Sequence, residues 1–263
     1  MSCLAKGESI LKKCALLELL GPVAPGDLVY FDLDSFKREP NISRFEDMSN
    51  KHGTDKCKKH SYQYIYANLF EELKEKEINF LEIGIGNGNS LLLWHEYFQN
   101  ALNIFGIENN PKNIATTNSK LFYQSIDDAQ QPGHKREQKI QLLEGTSTDR
   151  GRTDHFEKEF FDIIVDDGSH IIGDQLVTLL NLWDKLKING YYIIEDLEAS
   201  HYSKYFFLFK EFVFFDLKNL RDRWDDCIVV IKKIDSDDLS IYLGAGDPIE
   251  NFSFDVPRGP YEK

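Results

Sequence analysis

The sequence predicts an α/β fold: a doubly wound, seven-stranded, mostly parallel sheet with an N-terminal helical extension. Three observations carry this. From Ile78 onward, short apolar runs alternate with helical stretches, the pattern of parallel strands joined by crossover helices. The first of these runs leads into a glycine-rich turn, Gly84–Gly88. Two later runs, Phe161–Val165 and Tyr191–Ile194, each end in acids, Asp166–Asp167 and Glu195–Asp196. Parallel strands pool such residues along one edge of a sheet.

Taken in order, Ser9–Leu20 places Ile10, Leu11, Cys14, Leu17 and Leu20 on a helical stripe that Gly21–Pro22 stops. Val23–Asn50, with Pro25, Gly26 and Pro40, reads as an irregular extension. A second helix is expected from Tyr62 to about Lys76, with Tyr62, Ile65, Tyr66, Leu69, Phe70 and Leu73 on its inner face. Strands are expected near Asn79–Ile85, Asn103–Glu108, Ile140–Glu144, Phe161–Val165, Tyr191–Glu195, Phe212–Asp216 and Cys227–Lys232. Within Pro111–Lys139, Gln130–His134 reads as an exposed turn, and Pro257–Lys263 as a loose tail. The division that follows is 1–77 as the extension, 78–235 as the main domain and 236–263 as a C-terminal strand or tail.

The chain has 263 residues, 41% of them hydrophobic, enough to bury a full core. Thirty-one basic residues against 44 acidic give a formal net charge of −13, which disfavours nucleic-acid backbones and anionic membrane surfaces as partners. A small-molecule partner is the default. Apolar runs of about 4–8 residues fall far short of the roughly 20 that span a bilayer. Met1–Lys13 lacks a signal-peptide pattern, so a cytoplasmic location is expected. Cys3, Cys14, Cys57 and Cys227 form no C-x-x-C pair and read as reduced thiols.

The segment Leu81–Glu82–Ile83–Gly84–Ile85–Gly86–Asn87–Gly88–Asn89–Ser90 sits between an apolar strand and the helical run Leu91–Phe98. Glycine there lets backbone approach a ligand closely, and the free N–H groups at a helix start favour polar ligand atoms. Glu108 ends the next strand 20 residues past Gly88, where an acid accepts hydrogen bonds from ribose hydroxyls. A dinucleotide fingerprint requires G-x-G-x-x-G, whereas this turn reads G-x-G-x-G, so a nicotinamide cofactor is the weaker reading. The E-x-G-x-G-x-G turn with its distal acid resembles the first two motifs of class I, Rossmann-like S-adenosylmethionine-dependent methyltransferases. That resemblance implies that the glycines lie against the methionine part of the cofactor and that Glu108 holds its ribose.

Three carboxylates and an imidazole at two strand ends suit a hard divalent cation plus a base. Alternation along a strand sends Asp166 and Asp167 to opposite faces, so at most one of them enters the site. Ion pairs and helix caps are the plainer reading for any one of these acids; Asp167 is placed to cap a helix starting near Gly173. The motifs Val165–His170 and Ile193–Leu197, with the upstream Lys51–Lys56, His60 and Tyr62, resemble the macrocin-type, magnesium-dependent sugar O-methyltransferases over roughly His52 to Leu197. The resemblance implies Asp167, Glu195 and Asp196 as Mg²⁺ ligands and His170 as the base. It implies Thr54, Gly84, Gly86, Gly88, Ser90, Glu108 and Asp167 for S-adenosylmethionine. The acceptor would be a sugar or sugar conjugate: capsule, lipopolysaccharide, nucleotide sugar or natural-product glycoside.

Competing readings stay open. An NAD-dependent oxidoreductase would need a proton donor such as Y-x-x-x-K after the fourth strand, and none follows. A catechol-type O-methyltransferase shares the metal and acids but uses lysine as base, and a non-catalytic partner protein would not need the acid set. His52–Tyr66 reads either as a lid that orders on binding or as an ordinary helix start capped by Asp55 or Ser61. Tyr202, Tyr205, Phe206 and Phe207 wall an acceptor pocket or pack helix against sheet. The Ser9–Leu20 helix pairs subunits into a homo-oligomer or packs on its own domain.

Overall fold

A computed structural model of the protein describes residues 28–30, 40–129, 139–198 and 212–233. The Ser9–Leu20 helix, the Gln130–His134 turn, the Tyr202–Phe207 aromatics, Cys3, Cys14 and the C-terminal tail lie outside the described residues. In chain order the elements are β1 (Leu28–Tyr30), α1 (Pro40–His52), α2 (Gln63–Leu69), β2 (Asn79–Ile83), α3 (Asn89–Tyr97), β3 (Asn103–Glu108), α4 (Pro111–Ala129) and β4 (Lys139–Glu144). There follow α5 (Arg150–Thr153), β5 (Phe161–Asp166), α6 (Ile172–Leu182), β6 (Leu186–Ile194), β7 (Phe212–Asp216), α7 (Lys218–Arg221) and β8 (Cys227–Lys232).

The strands form one sheet in the order β1-β7-β8-β6-β5-β2-β3-β4, and only β8 runs antiparallel to its neighbours. All seven expected strands are present. The chain winds outward from β2 to β3 and β4 on one side, then returns to β5 and β6 on the other. The crevice at the carboxyl ends of β2 and β5 is therefore the topological switch point where open α/β sheets bind ligands. Register sets the rest of the site: Ile83 pairs with Asp166, and Asp166 with Ile194, so the residues following each strand emerge side by side.

Each face of the sheet is covered. One face, with Phe80, Ile163, Val165 and Ile193, packs against α1, α2 and α3. The other, with Ile83, Ile164, Tyr192 and Ile194, packs against α6, Phe156 and Trp183. The first is dominated by rings: Trp94 lies 5.1 Å from both Tyr66 and Phe80, and Tyr66 lies 5.2 Å from Phe70, between centroids.

Four local readings differ from the sequence expectation. Val23–Asn50 is not irregular throughout, since it contains β1 and most of α1. Its prolines do not exclude the helix, because Pro40 opens it, where the missing N–H has no partner to lose. Ile42, Phe45 and Met48 then fall on one buried face. Helix α2 stops at Leu69 rather than near Lys76, as Glu71–Glu77 offers only Leu73 to a packing face. Strand β2 ends at Ile83 because Gly84, at φ +76°, turns the chain out of the sheet. Strand β6 starts earlier, at Leu186, and takes in Asn189 at φ +67°.

Phe45 is fully buried and within 6 Å of the Tyr66, Trp94 and Tyr97 rings. Phe45→Ala is expected to reduce unfolding free energy by about 3–5 kcal/mol in urea titrations. A loss under about 1 kcal/mol would place α1 outside the cooperative core.

Candidate active site

A cavity of about 700 Å³ opens at the switch point, a size that suits a cofactor-scale ligand. Its floor is the glycine turn. Gly84 cannot carry a side chain: a Cβ there would lie 2.1 Å from the Asp167 carbonyl oxygen, so this glycine lets the β2 and β5 exits touch. Gly86 faces open space, with nothing within 4 Å of where its Cβ would be. Gly88 does not line the cavity; at φ +80° it starts α3, and a Cβ would strike the Thr117 side chain. Thr54, Ser90 and Glu108 do line it. Their polar atoms also brace the walls. Ser90 Oγ donates to Glu82 Oε2 (2.7 Å), and Thr54 Oγ1 accepts from the Lys56 N–H (3.1 Å). Glu108 accepts from the backbone N–H of Gly86 (3.0 Å) and of Asn110 (2.8 Å).

Beside this floor the acids gather. Asp166 and Asp167 both line the cavity, against the expectation that at most one enters the site, but their carboxyls take different partners. Asp166, 2% exposed, accepts from the Gly168 N–H (3.2 Å) and the Tyr192 hydroxyl (3.4 Å), and burial raises its carboxyl to about 7. Asp167 turns to the opposite face and meets Lys56 Nζ at 3.0 Å. Burial raises it to about 6, against the pull of that ammonium.

Lys56 is the centre of the buried network. Its Nζ reaches both oxygens of Glu195 (2.8 and 2.7 Å), Asp167 Oδ2 (3.0 Å) and Glu82 Oε1 (3.3 Å). Burial would lower its pKa, but Asp167, Glu195 and Glu82 hold it well above the ordinary lysine range. It is therefore a fixed cation. The Tyr66 hydroxyl also donates to Glu195 Oε1. Burial keeps Tyr66 neutral, as a donor should be.

Asp196 is held from elsewhere. The Tyr62 hydroxyl donates to its Oδ1 (2.7 Å) and accepts from its backbone N–H (3.0 Å). His60, stacked on Tyr62 at 4.7 Å, lies 3.4 Å from Asp196 Oδ1 and 3.5 Å from Asp226 Oδ1. On the open side His170 Nε2 stands 3.7 Å from Asp196 Oδ2, with the imidazole 44% exposed on the cavity wall. His170 and Asp196 both take positive φ, +56° and +55°, which few non-glycine residues adopt outside special sites.

Asp167, His170 and Asp196 each present one donor atom within 4.8 Å of the others, the one such cluster among the described residues. The two carboxylates suit a hard divalent cation, and the imidazole stands beside them within reach of the same space. Glu195, expected as a third carboxylate ligand, is not in that cluster; both its oxygens are bonded to Lys56. The His52–Tyr66 segment, read either as a lid or as an ordinary helix start, packs against the acids in this structure. Lys56, His60, Ser61, Tyr62 and Tyr66 are all at most 2% exposed, and opening would break every contact of the Lys56 ammonium.

The sequence reading gave Lys56, His60, Tyr62, Tyr66 and Glu82 no role in the site, although Lys56, His60 and Tyr62 stand in the segment that carries the resemblance and Tyr62 and Tyr66 on the expected inner helix face. One signal pointed to them. Acids ending neighbouring buried strands need counter-charge, and the nearest strands supply none, so a cation had to come from a distant segment.

Residues 81–197 match the family model described as a methyltransferase domain. The match runs from the strand before the glycine turn to the residue after Asp196. The chain is 29% identical over 164 residues to a tetracenomycin-C 3'-O-methyltransferase of Streptomyces olivaceus, whose named substrate carries a 2-methoxy-rhamnosyl group; the match covers 59% of this chain and 37% of that one. It is 29% identical over 146 residues to demethylmacrocin O-methyltransferase of Streptomyces fradiae, covering 52% and 32%. A solved structure of MycE methyltransferase from mycinamycin biosynthesis, in complex with Mg, SAH and mycinamycin VI, aligns at TM-score 0.46 and 23% identity, covering 65% of this chain and 41% of that one. The chain spans about a third of the length of the curated relatives it matches.

The two turn glycines should respond differently to alanine. Gly86→Ala, with open space for its Cβ, is expected to cost about 1–2 kcal/mol for the left-handed backbone alone. Gly84→Ala adds a collision with backbone and should lower the melting temperature much further. Equal shifts in thermal melts would contradict the close approach.

Proposed function

We propose that this chain moves the methyl group of S-adenosylmethionine to a hydroxyl of a sugar or sugar-containing small molecule, with Mg²⁺ beside it. The observation that carries this reading is the Asp167–His170–Asp196 donor cluster, two members of which, Asp167 and His170, line the same cavity as Gly84 and Gly86. The similar proteins named as sugar O-methyltransferases support it. Bound S-adenosylmethionine supplies a methyl on a sulfonium leaving group, and a bound divalent cation acidifies a coordinated hydroxyl.

The chain's own residues do the rest. Gly84 and Gly86 keep the floor free of side chains, and Glu108 presents a carboxylate at the β3 end for hydroxyls of the cofactor. Thr54 and Ser90 line the same floor, with Gly88 behind it shaping the start of α3. Asp167 and Asp196 hold the cation, and Glu195 steadies Lys56 behind them. His170, exposed on the cavity side, accepts the proton of the acceptor hydroxyl as the oxygen takes the methyl. Asp196, 3.7 Å away, then stabilises the imidazolium. Holding oxygen and methyl in line can contribute roughly 7–11 kcal/mol, more than the 10²–10⁴-fold that a general base typically adds.

Lys56 does not act as the base, because a buried ammonium bonded to three carboxylates has no proton-accepting form at neutral pH. His170 on the cavity wall favours an alcohol acceptor over a catechol-type one. The G-x-G-x-G spacing separates this site from a nicotinamide site. We place the reaction in the cytoplasm. Cys57 and Cys227 are both free thiols and buried, and no helix among the described residues is long and apolar enough to cross a membrane. The domain division proposed is a catalytic domain over 78–235, with 1–77 contributing Thr54 and the Lys56 wall.

His170→Ala is expected to lower turnover by about 10²–10⁴-fold, leaving S-adenosylmethionine affinity by calorimetry and the half-saturating Mg²⁺ concentration unchanged. A raised Mg²⁺ requirement, with turnover recovered at high Mg²⁺, would make His170 a ligand instead. Excess EDTA should abolish methyl transfer from labelled S-adenosylmethionine to a panel of glycosides and sugar nucleotides. Full activity in EDTA would overturn the metal-dependent reading.

A further inference from the structure

Lys56 is the one buried cation, among the described residues, that touches the acids at the tips of β2, β5 and β6 together. Asp167 and Glu195 lie 111 and 139 residues from Lys56 in sequence, and together with Glu82 they meet at its Nζ. The side chains of Lys56, Glu82 and Glu195 are at most 2% exposed, so water screens little of their mutual repulsion. A lysine suits the position because its compact ammonium has three rotatable donors for three carboxylates, where a guanidinium would spread its charge in a plane. Asp167 is shared. Its Oδ2 bonds Lys56, and it still offers a carboxylate oxygen within 4.8 Å of the His170 and Asp196 donor atoms.

We propose that Lys56 is the built-in counter-charge of the cation site: its ammonium holds the acid cluster together without an ion and limits how tightly an ion is held. This rests on the metal-dependent reading above and deepens it, making Lys56 a positioning residue. Replacing the ammonium with an apolar side chain of similar length leaves three acids whose charge a divalent cation can neutralise. The ion then takes over part of the lysine's role. Its affinity rises while the ion-free protein loses stability.

The test is manganese binding to the full chain, without cofactor or acceptor, by calorimetry and thermal melts. Lys56→Met is expected to melt lower than the natural protein in EDTA, to regain most of the difference on adding Mn²⁺, and to bind Mn²⁺ at least about tenfold more tightly. Binding no tighter than the natural protein's, or failure to fold even with Mn²⁺, would overturn the proposal. Glu82→Gln provides an independent check, since it removes one charge from a group outside the donor cluster and keeps Lys56. It should weaken Mn²⁺ binding by about tenfold, and unchanged affinity would count against the counter-charge role. Failure of the wider reading looks different. If the natural protein binds no Mn²⁺ but Lys56→Met does, the metal-dependent function falls and the role of Lys56 stands; if neither binds, both fall.

Discussion

The contact on which the rest of the structure depends is the one between the exits of β2 and β5, where Gly84 meets the Asp167 carbonyl. A sheet wound in both directions leaves a gap where neighbouring strands send their following helices to opposite faces. Here the gap is lined by two backbones brought close enough that only hydrogen fits between them. The Asp167 N–H donates to the Ile83 carbonyl (2.9 Å), and the Gly84 N–H donates to Ile107 (2.9 Å), so three adjacent strands are laced at the point where they end. The cavity floor and the acid wall are thereby one rigid unit. Ligand groups bound to one are registered against the other without help from any moving part.

That unit is closed on its far side by a segment from well before β2. The chain from Thr54 to Tyr66 contributes an ammonium, an imidazole and two phenols, each directed at a carboxylate. Glu195 and Asp196, though adjacent, are served by different partners: Lys56 and Tyr66 take the first, Tyr62 and His60 the second. Asn89, at the start of α3, ties the same segment to the glycine turn by donating to the Gly53 carbonyl (3.0 Å). Buried charge so arranged contributes less to stability than apolar packing of equal volume would, but it fixes where each acid points.

How far the sequence revealed this depended on the range of the interactions. Strand positions were legible because β-branched and aromatic runs bounded by glycine and acids are local signals, and the chemistry clustered at strand tips followed from topology alone. That placed Asp166, Asp167, Glu195 and Asp196, with His170 nearby, along one edge, while the role of each residue was implied by the family resemblance. Their partners were not placed, because Lys56 lies 111 residues from Asp167 and 139 from Glu195, and no periodicity links residues so far apart. The difference for Glu195 has the same source. A carboxylate at a strand tip looks like a ligand until the cation that occupies it is known. Helix α1 was hidden for another reason: prolines read as loop punctuation unless the one at the helix start is recognised as compatible with it.

The paired left-handed residues, His170 and Asp196, have a consequence for natural variation. Both backbones sit where a branched β-carbon would be crowded by the neighbouring carbonyl, so valine, isoleucine and threonine are excluded by geometry before chemistry is considered. Asparagine tolerates this conformation well and also carries a donor and an acceptor. Drift at these two positions should therefore run through asparagine or glycine. A related chain bearing either residue there would keep its shape while changing the side chains at the tips of β5 and β6.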